Sequence, residues 1–204
     1  MKTYEAESEL SVIKKIMEDS RKLNVDNGFY YIFWGILTST ALILNYLLII
    51  YNYSGQYIGF MWMILMVIGA IIGTIAGAKM EKKKKVKTFA GEILSSLWIA
   101  IGAIIFTFVF IGIFTKVYNA IYISGFVSCL LAIGYFTSGT IQRLNWLKYL
   151  SLAWFLGGWA FFMKPTTESL LYFALMLIFF QTIPGIILYK KYKRDLNSEL
   201  PSIV

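Results

Sequence analysis

The sequence contains six apolar blocks, each long enough to cross a lipid bilayer as a helix, and these limit the folds that the chain can adopt. The blocks cover residues 28–50, 58–78, 90–114, 117–138, 146–163 and 169–189. At about 1.5 Å per residue, helices of such length cross roughly 30 Å of hydrocarbon. As buried helices of a soluble protein, six such blocks would leave almost no polar surface for water. The sequence therefore predicts an all-α polytopic membrane bundle of six transmembrane helices.

Composition agrees with lipid as the main solvent. The chain of 204 residues is 58% hydrophobic and only 15% charged, well outside the range of soluble domains. Its net charge of +8 could suggest a nucleic-acid partner, but the basic residues occur in short runs between the apolar blocks instead of over a polar face. We therefore expect the lipid bilayer, and no nucleic acid, as a partner.

The distribution of lysine and arginine predicts the orientation. One predicted side of the membrane receives 17 of the 19 basic residues: Lys2, Lys14, Lys15, Arg21, Lys22, Lys79, Lys82, Lys83, Lys84, Lys85, Lys87, Arg143, Lys148, Lys190, Lys191, Lys193 and Arg194. The other side receives only Lys116 and Lys164. Because basic loops stay in the cytoplasm, both termini are expected there.

Three regions follow: a cytoplasmic segment 1–27, a transmembrane domain 28–189 and a basic cytoplasmic tail 190–204. Short connections predict that consecutive helices form three antiparallel hairpins. Each predicted hairpin opens with a tryptophan near a glycine and closes with a glycine before basic residues: Trp34 with Gly35, Trp98 with Gly102, Trp154 with Gly157, and then Gly77, Gly139 and Gly185. Convergence of helical hairpins explains this faint repeat at least as well as duplication does, and we assign no function to it.

The residue inventory argues against catalysis. Histidine is absent and Cys129 is the only cysteine, so the commonest metal ligand and the usual proton-transfer side chain are missing. No ionisable residue lies in the middle of a block, where membrane proteins place proton relays. We therefore expect a protein that is not an enzyme and that has no catalytic residues, metal or cofactor.

Two of the blocks carry candidate packing or binding residues. Gly69, Gly73 and Gly77 form a small-residue row at four-residue spacing, which predicts close packing with another helix, within the chain or in a homo-oligomer. In the last block, Gln181 and Thr182 precede Pro184, which cannot donate a backbone hydrogen bond, so a kink is expected. Transporters build solute sites at such interruptions, and Asn45 is a possible polar partner for this one.

The first residues predict an amphipathic helix over residues 8–22. Leu10, Ile13, Ile16 and Met17 recur at the spacing of one helical face. Residues 1–27 carry five basic and six acidic side chains, a net charge of 5 − 6 = −1, which weakens attraction to anionic lipid. Docking on a cytoplasmic or membrane protein is therefore the favoured role, with a helix resting on lipid as the alternative.

Residues 13–21 (IKKIMEDSR) and 26–35 (DNGFYYIFWG) resemble the opening of a group of uncharacterised bacterial six-transmembrane proteins. These share an amphipathic preamble and an NGF-Y--WG first crossing. The resemblance implies a bacterial cytoplasmic (inner) membrane location and brings no activity with it. The residues favour a non-enzymatic protein that acts through partners, as a membrane subunit or regulatory scaffold. The alternative is a small permease or a solute-binding transporter subunit.

Overall fold

The protein is described by a computed structural model, which places residues 27–83, 89–115 and 118–199. These residues are almost entirely helical, and none of them lies in a β-strand. The helices are α1 (Phe29–Ile50), α2 (Gly55–Lys83), α3 (Phe89–Thr115), α4 (Ile123–Ile141), α5 (Asn145–Met163), α6 (Ser169–Leu177) and α7 (Ile183–Glu199). A short 3₁₀ turn, Ala120–Tyr122, precedes α4, and a π turn, Ile178–Thr182, joins α6 to α7. The all-α class is confirmed.

Five of the helical stretches are long and apolar enough to cross a membrane. They are Phe29–Ile50, Gly55–Met80, Phe89–Phe110, Ala120–Ile141 and Ser169–Arg194. The fifth apolar block forms α5, a helix of 19 residues, but it is not one of these five. Its three tryptophans, two adjacent glycines and Lys148 lower its hydropathy. The chain is thus a multi-pass membrane protein by length and composition, with five clear spans.

The helices do not pack mainly as three hairpins of consecutive helices. The most extensive contact joins α4 to α5, and α1 packs along α6, the π turn and α7. In contrast, α2 packs mainly on α1, and α3 mainly on α4. The predicted arrangement of three hairpins is therefore not confirmed, and α2 and α3 lie at the periphery.

Two helix ends are closed by residues in the left-handed conformation. Asn52 after α1 has φ 58° and Arg143 after α4 has φ 54°. The N–H of Tyr53 bonds the carbonyl of Leu48 at 2.9 Å, and that of Leu144 bonds Gly139 at 2.9 Å. These six-to-one hydrogen bonds satisfy carbonyls that a helix terminus leaves free. The second closure turns the chain directly from α4 into α5.

Glycines allow α1 and α7 to approach through their backbones. A Cβ added at Gly185 would lie 2.7 Å from Tyr31 Cβ and 2.9 Å from the backbone nitrogen of Ile32. A Cβ added at Gly35 would lie 3.2 Å from the backbone nitrogen of Thr182. Helices in lipid associate through such close packing, so these two glycines hold the first and last spans together.

Candidate functional site

The last span is interrupted at the π turn. The N–H of Ile183 donates to the carbonyl of Ile178, five residues back, and the Thr182 hydroxyl donates to the carbonyl of Leu177 at 3.2 Å. Pro184 follows at once and has no N–H to donate. Because a π turn inserts an extra residue, it re-aims the side chains around it, and such turns often occur at functional sites.

Gln181 and Thr182 on this turn point into the bundle. Each side chain is only 7% exposed, and Pro184 is buried as well. The turn faces Gly35 of α1, whose added Cβ would lie 3.4 Å from Gln181 Cγ. Gln181 Oε1 accepts no hydrogen bond from the residues that the structure describes. A buried acceptor without a hydrogen bond costs about 1 to 3 kcal/mol, so Gln181 is an unfavourable polar group in this span.

Asn45 is not brought together with Gln181. It lies ten residues beyond Gly35 on α1, which corresponds to about 15 Å along the helix axis. Its side chain is half-buried, and its Oδ1 also accepts no hydrogen bond from described residues. The two amides therefore belong to separate places in the bundle.

An aromatic cluster at the centre of the bundle was not predicted as a site. The rings of Tyr31, Trp98 and Tyr135 meet edge to face, with centroids 5.4 to 6.0 Å apart. Trp154 adds a fourth ring 5.8 Å from Tyr135, and it also lies 6.2 Å from the ring of Phe180, the residue before Gln181. We refer to these four residues, from α1, α3, α4 and α5, as the aromatic core. The tryptophans of the faint sequence repeat, Trp98 and Trp154, were the available signal.

The aromatic core contains polar groups. Trp98 Nε1 donates to the Ser138 hydroxyl at 3.1 Å. Trp154 and Ser128 are fully buried, and neither Trp154 Nε1 nor Ser128 Oγ makes a hydrogen bond among described residues. No charged side chain is found among the buried residues of the described part of the chain. The core thus offers neutral donors and acceptors and no base or activated nucleophile.

One cavity among the described residues lies elsewhere. It has a volume of about 340 Å³ and is lined by Ala103, Ile104, Thr107, Phe108 and Tyr118, on the side of α3. Tyr118 stacks on Phe108 at 4.2 Å and also donates a hydrogen bond to its carbonyl. Gln181 is not part of the lining, so this cleft and the π turn are separate features.

The glycine row on α2 receives side chains of α1. Gly69 and Gly73 are buried and Gly77 is half-buried. A Cβ at Gly69 would lie 3.1 Å from the Trp34 ring, whereas one at Gly73 would have no described neighbour nearer than 3.8 Å. Tyr30 also donates its hydroxyl proton to the Gly73 carbonyl at 2.9 Å. In this structure the row holds aromatic rings of the neighbouring helix, so α1 and α2 do not meet there through their backbones.

The predicted docking residues Leu10, Ile13, Ile16 and Met17 lie outside the described residues. Within residues 27–83, 89–115 and 118–199, no group of three histidine, cysteine, aspartate or glutamate side chains could hold a metal ion. No known protein family, curated protein or solved structure matches the chain.

Proposed function

We propose that the chain is a non-enzymatic membrane protein that acts through protein partners within the bilayer, as a subunit or scaffold. The uneven burial of its helices carries this proposal. In the most apolar part of α2 only 11% of the residues are buried inside the protein, and the same holds for α3. In the span that contains α4 the buried share is 44%. A second membrane protein packing on these two helices, or a second copy of this chain, would cover the faces that the bundle itself leaves open.

The closed centre of the bundle also supports this function. Tyr135 and Trp154 are completely buried, and their rings pack against those of the neighbouring helices. A permease requires polar surface that becomes accessible near the middle of the membrane. A tightly packed aromatic core between α1, α3, α4 and α5 suits a rigid element that presents outer helices to a partner.

We further propose that α5 is a sixth crossing. Its 19 residues extend about 28 Å at 1.5 Å per residue, and it packs along most of α4. Tryptophan favours membrane interfaces, so Trp146 and Trp159 near its two ends suit a crossing in spite of the lower hydropathy. An even number of crossings, together with the lysine and arginine distribution, supports cytoplasmic termini. The resemblance of residues 13–21 and 26–35 is what supports a bacterial inner membrane.

Site-specific photo-crosslinking in native membranes tests the partner hypothesis. Photoreactive residues would replace Ile71 on α2 and Ile99 on α3, which are 55% and 71% exposed, and Leu152 on α5, which is 57% exposed, as the matched control. We expect discrete protein adducts from the first two positions and only lipid adducts from the third. Adducts of twice the chain mass would identify a homo-oligomer as the partner. Lipid adducts alone at all three positions would contradict the proposal.

The amphipathic segment 8–22 is proposed as a second contact with partners. Replacing Ile13 and Met17 together by aspartate places two charges on its apolar face, and burying a charge without a partner is costly. The double variant should still insert into the membrane but lose a co-purifying protein. Substituting the flanking, non-stripe Val12 by aspartate is the control. Retention of every co-purifying protein by the double variant would remove this role.

The permease alternative is supported by one observation, the buried Gln181 beside the π turn. Replacing Gln181 by leucine distinguishes the two functions. If the centre stays closed, the change should be neutral or stabilising, because it removes a buried acceptor without a donor. If the turn binds a solute, the variant should lose a small molecule that co-purifies with the wild type in mild detergent, as identified by mass spectrometry.

A further inference from the structure

The face of α7 that points away from the bundle changes from apolar to cationic along one continuous line. Ile183, Ile186 and Ile187 are 40%, 38% and 51% exposed. Lys190, Lys193 and Arg194 follow at the spacing of the same helical face and are also exposed. The opposite face is buried through Gly185 and Leu188. We call these six residues the α7 outer stripe.

The spacing along the stripe matches the profile of a lipid monolayer. Lys190 lies about 5 Å and Arg194 about 10 Å beyond Ile187 along the helix axis. The headgroup region outside the hydrocarbon is about 5 to 8 Å deep on each side of a bilayer. When the isoleucines lie in hydrocarbon, the three cations therefore reach the depth of the lipid phosphates.

We propose that the α7 outer stripe binds an anionic phospholipid. One acyl chain lies along the isoleucines, and the phosphate lies between Lys190, Lys193 and Arg194. Charge complementarity identifies an anionic headgroup, because the three cations of the stripe, with Lys191 beside them, attract negative charge at the membrane surface. The apolar half of the stripe identifies the source of the phosphate as a lipid, because a soluble phosphate or a nucleic acid has no acyl chain to pack against three exposed isoleucines.

The opposite end of the last span supports the selectivity of the site. There the described charges are Lys164 and Glu168, which have opposite signs and lie four residues apart. Because the two charges cancel, this pair does not attract an anionic lipid headgroup to that end of the span. The α7 outer stripe is thus expected to prefer anionic over zwitterionic lipid, and the other end of the span is not.

Lipid retention by the full chain tests the proposal. Wild-type protein, exchanged into nanodiscs with equal amounts of phosphatidylglycerol and phosphatidylcholine, would be released into mild detergent, and its retained lipids counted by native mass spectrometry. Changing Lys190, Lys193 and Arg194 together to glutamine should lower the phosphatidylglycerol preference by about fivefold for each cation removed. Added salt should lower the wild-type preference too, since exposed charges are screened.

Two control variants separate charge from folding. The charge-preserving variant K190R/K193R/R194K should keep the preference, and K164Q, which removes one cation from the other end, should keep it as well. Changing Ile183 and Ile187 to serine should lower phosphatidylglycerol retention although all three cations remain. An unchanged preference in the triple glutamine variant would overturn the proposal.

Competition identifies the source of the phosphate. Glycerol phosphate, which has the headgroup without acyl chains, should not displace retained phosphatidylglycerol. Displacement by it would show a soluble-phosphate site. Binding of a short oligonucleotide by the wild type, lost in the triple glutamine variant, would assign the cations to nucleic acid. Either result would overturn the assignment to lipid.

Discussion

Replacing Gly185 by alanine tests the backbone contact between α1 and α7 most directly. The added methyl group would lie 2.7 Å from Tyr31 Cβ, and 2.9 Å from both Ile32 Cγ1 and the Ile32 backbone nitrogen. Two of these three atoms belong to or adjoin the backbone and cannot rotate away. Non-bonded carbon contacts settle at about 3.5 to 4.0 Å, so the two helices must separate by roughly 1 Å.

The size of the effect follows from two opposing terms. Overpacking a well-packed interior costs about 1 to 3 kcal/mol, whereas alanine gains up to about 1 kcal/mol over glycine in a helix. Gly102 on α3 is the matched control, because an added Cβ there meets no atom of the described residues within 4 Å. The helix-propensity term is common to both variants. G185A should therefore be less stable than G102A by about 1 to 3 kcal/mol.

Two further glycines extend the comparison into a series. At Gly73 the nearest described atoms would be 3.8 Å from the added Cβ, an ordinary contact, so G73A should behave like G102A. At Gly69 the nearest atom, 2.6 Å away, is the terminal Cδ2 of Leu37, a flexible side chain that can shift. G69A should be intermediate.

Equilibrium unfolding in mixed detergent micelles, followed by tryptophan fluorescence, gives the free energy of each variant. Membrane insertion should be equal in all four, because each substitution adds a single methyl group to an apolar block. If G185A and G102A unfolded with the same free energy, α1 and α7 would not meet through their backbones, and the packing argument for Gly35 and Gly185 would fail.

Three other measurements follow from the sequence and the structure. Single cysteines at Lys84 and Ser54, in a background without the native cysteine, should differ in their labelling by an impermeant thiol reagent on intact cells. Position 54 should be labelled and position 84 protected. The reverse pattern would overturn the predicted orientation. S138A should cost about 1 kcal/mol, because it removes the acceptor of the half-buried Trp98 N–H, whereas an unchanged unfolding free energy would show that the bond contributes nothing. Hydrogen bonds to its own backbone, and then to the Thr166 side chain, hold the pKa of the Glu168 carboxyl below its usual range. This stabilisation is present above the unfolded pKa and is lost as pH falls through the folded one. The hydrogen-exchange protection of the first turn of α6, corrected for the intrinsic exchange rate at each pH, should therefore fall in acid for the wild type and not for E168Q.

The location of most helices was predictable from the sequence because it depends on a local property. A block of apolar residues in lipid must satisfy every backbone hydrogen bond internally, and a helix does so within the segment itself. Residues 28–50 and 90–114 accordingly match α1 and α3 closely. The fifth block is less apolar than the others, because Lys148, the glycines and the tryptophans offset its leucines and phenylalanines, although it still forms α5.

The interruption before Pro184 was also predictable in place, since proline removes a backbone donor wherever it occurs. Its form was not. A kink, a wide turn and a π turn all accommodate the missing N–H, and the choice depends on what packs against the turn. Here Gly35 leaves room for the side chains of Thr182 and Gln181. Gly35 lies almost 150 positions before them in the chain, so the sequence near Pro184 gave no sign of this contact.

Which helices pack against each other depends on contacts between distant segments of the chain. Within lipid, apolar side chains gain nothing from leaving their solvent, so hydropathy does not indicate which helix meets which. Close approach depends on matching small residues and rings between distant segments, such as Gly185 with Tyr31, or Trp98 with Tyr135. The length and apolarity of these segments were therefore enough to predict helices suited to a membrane. Only the packing decided that the first and last spans pair, that four rings meet at the centre, and that α2 and α3 are left at the edge.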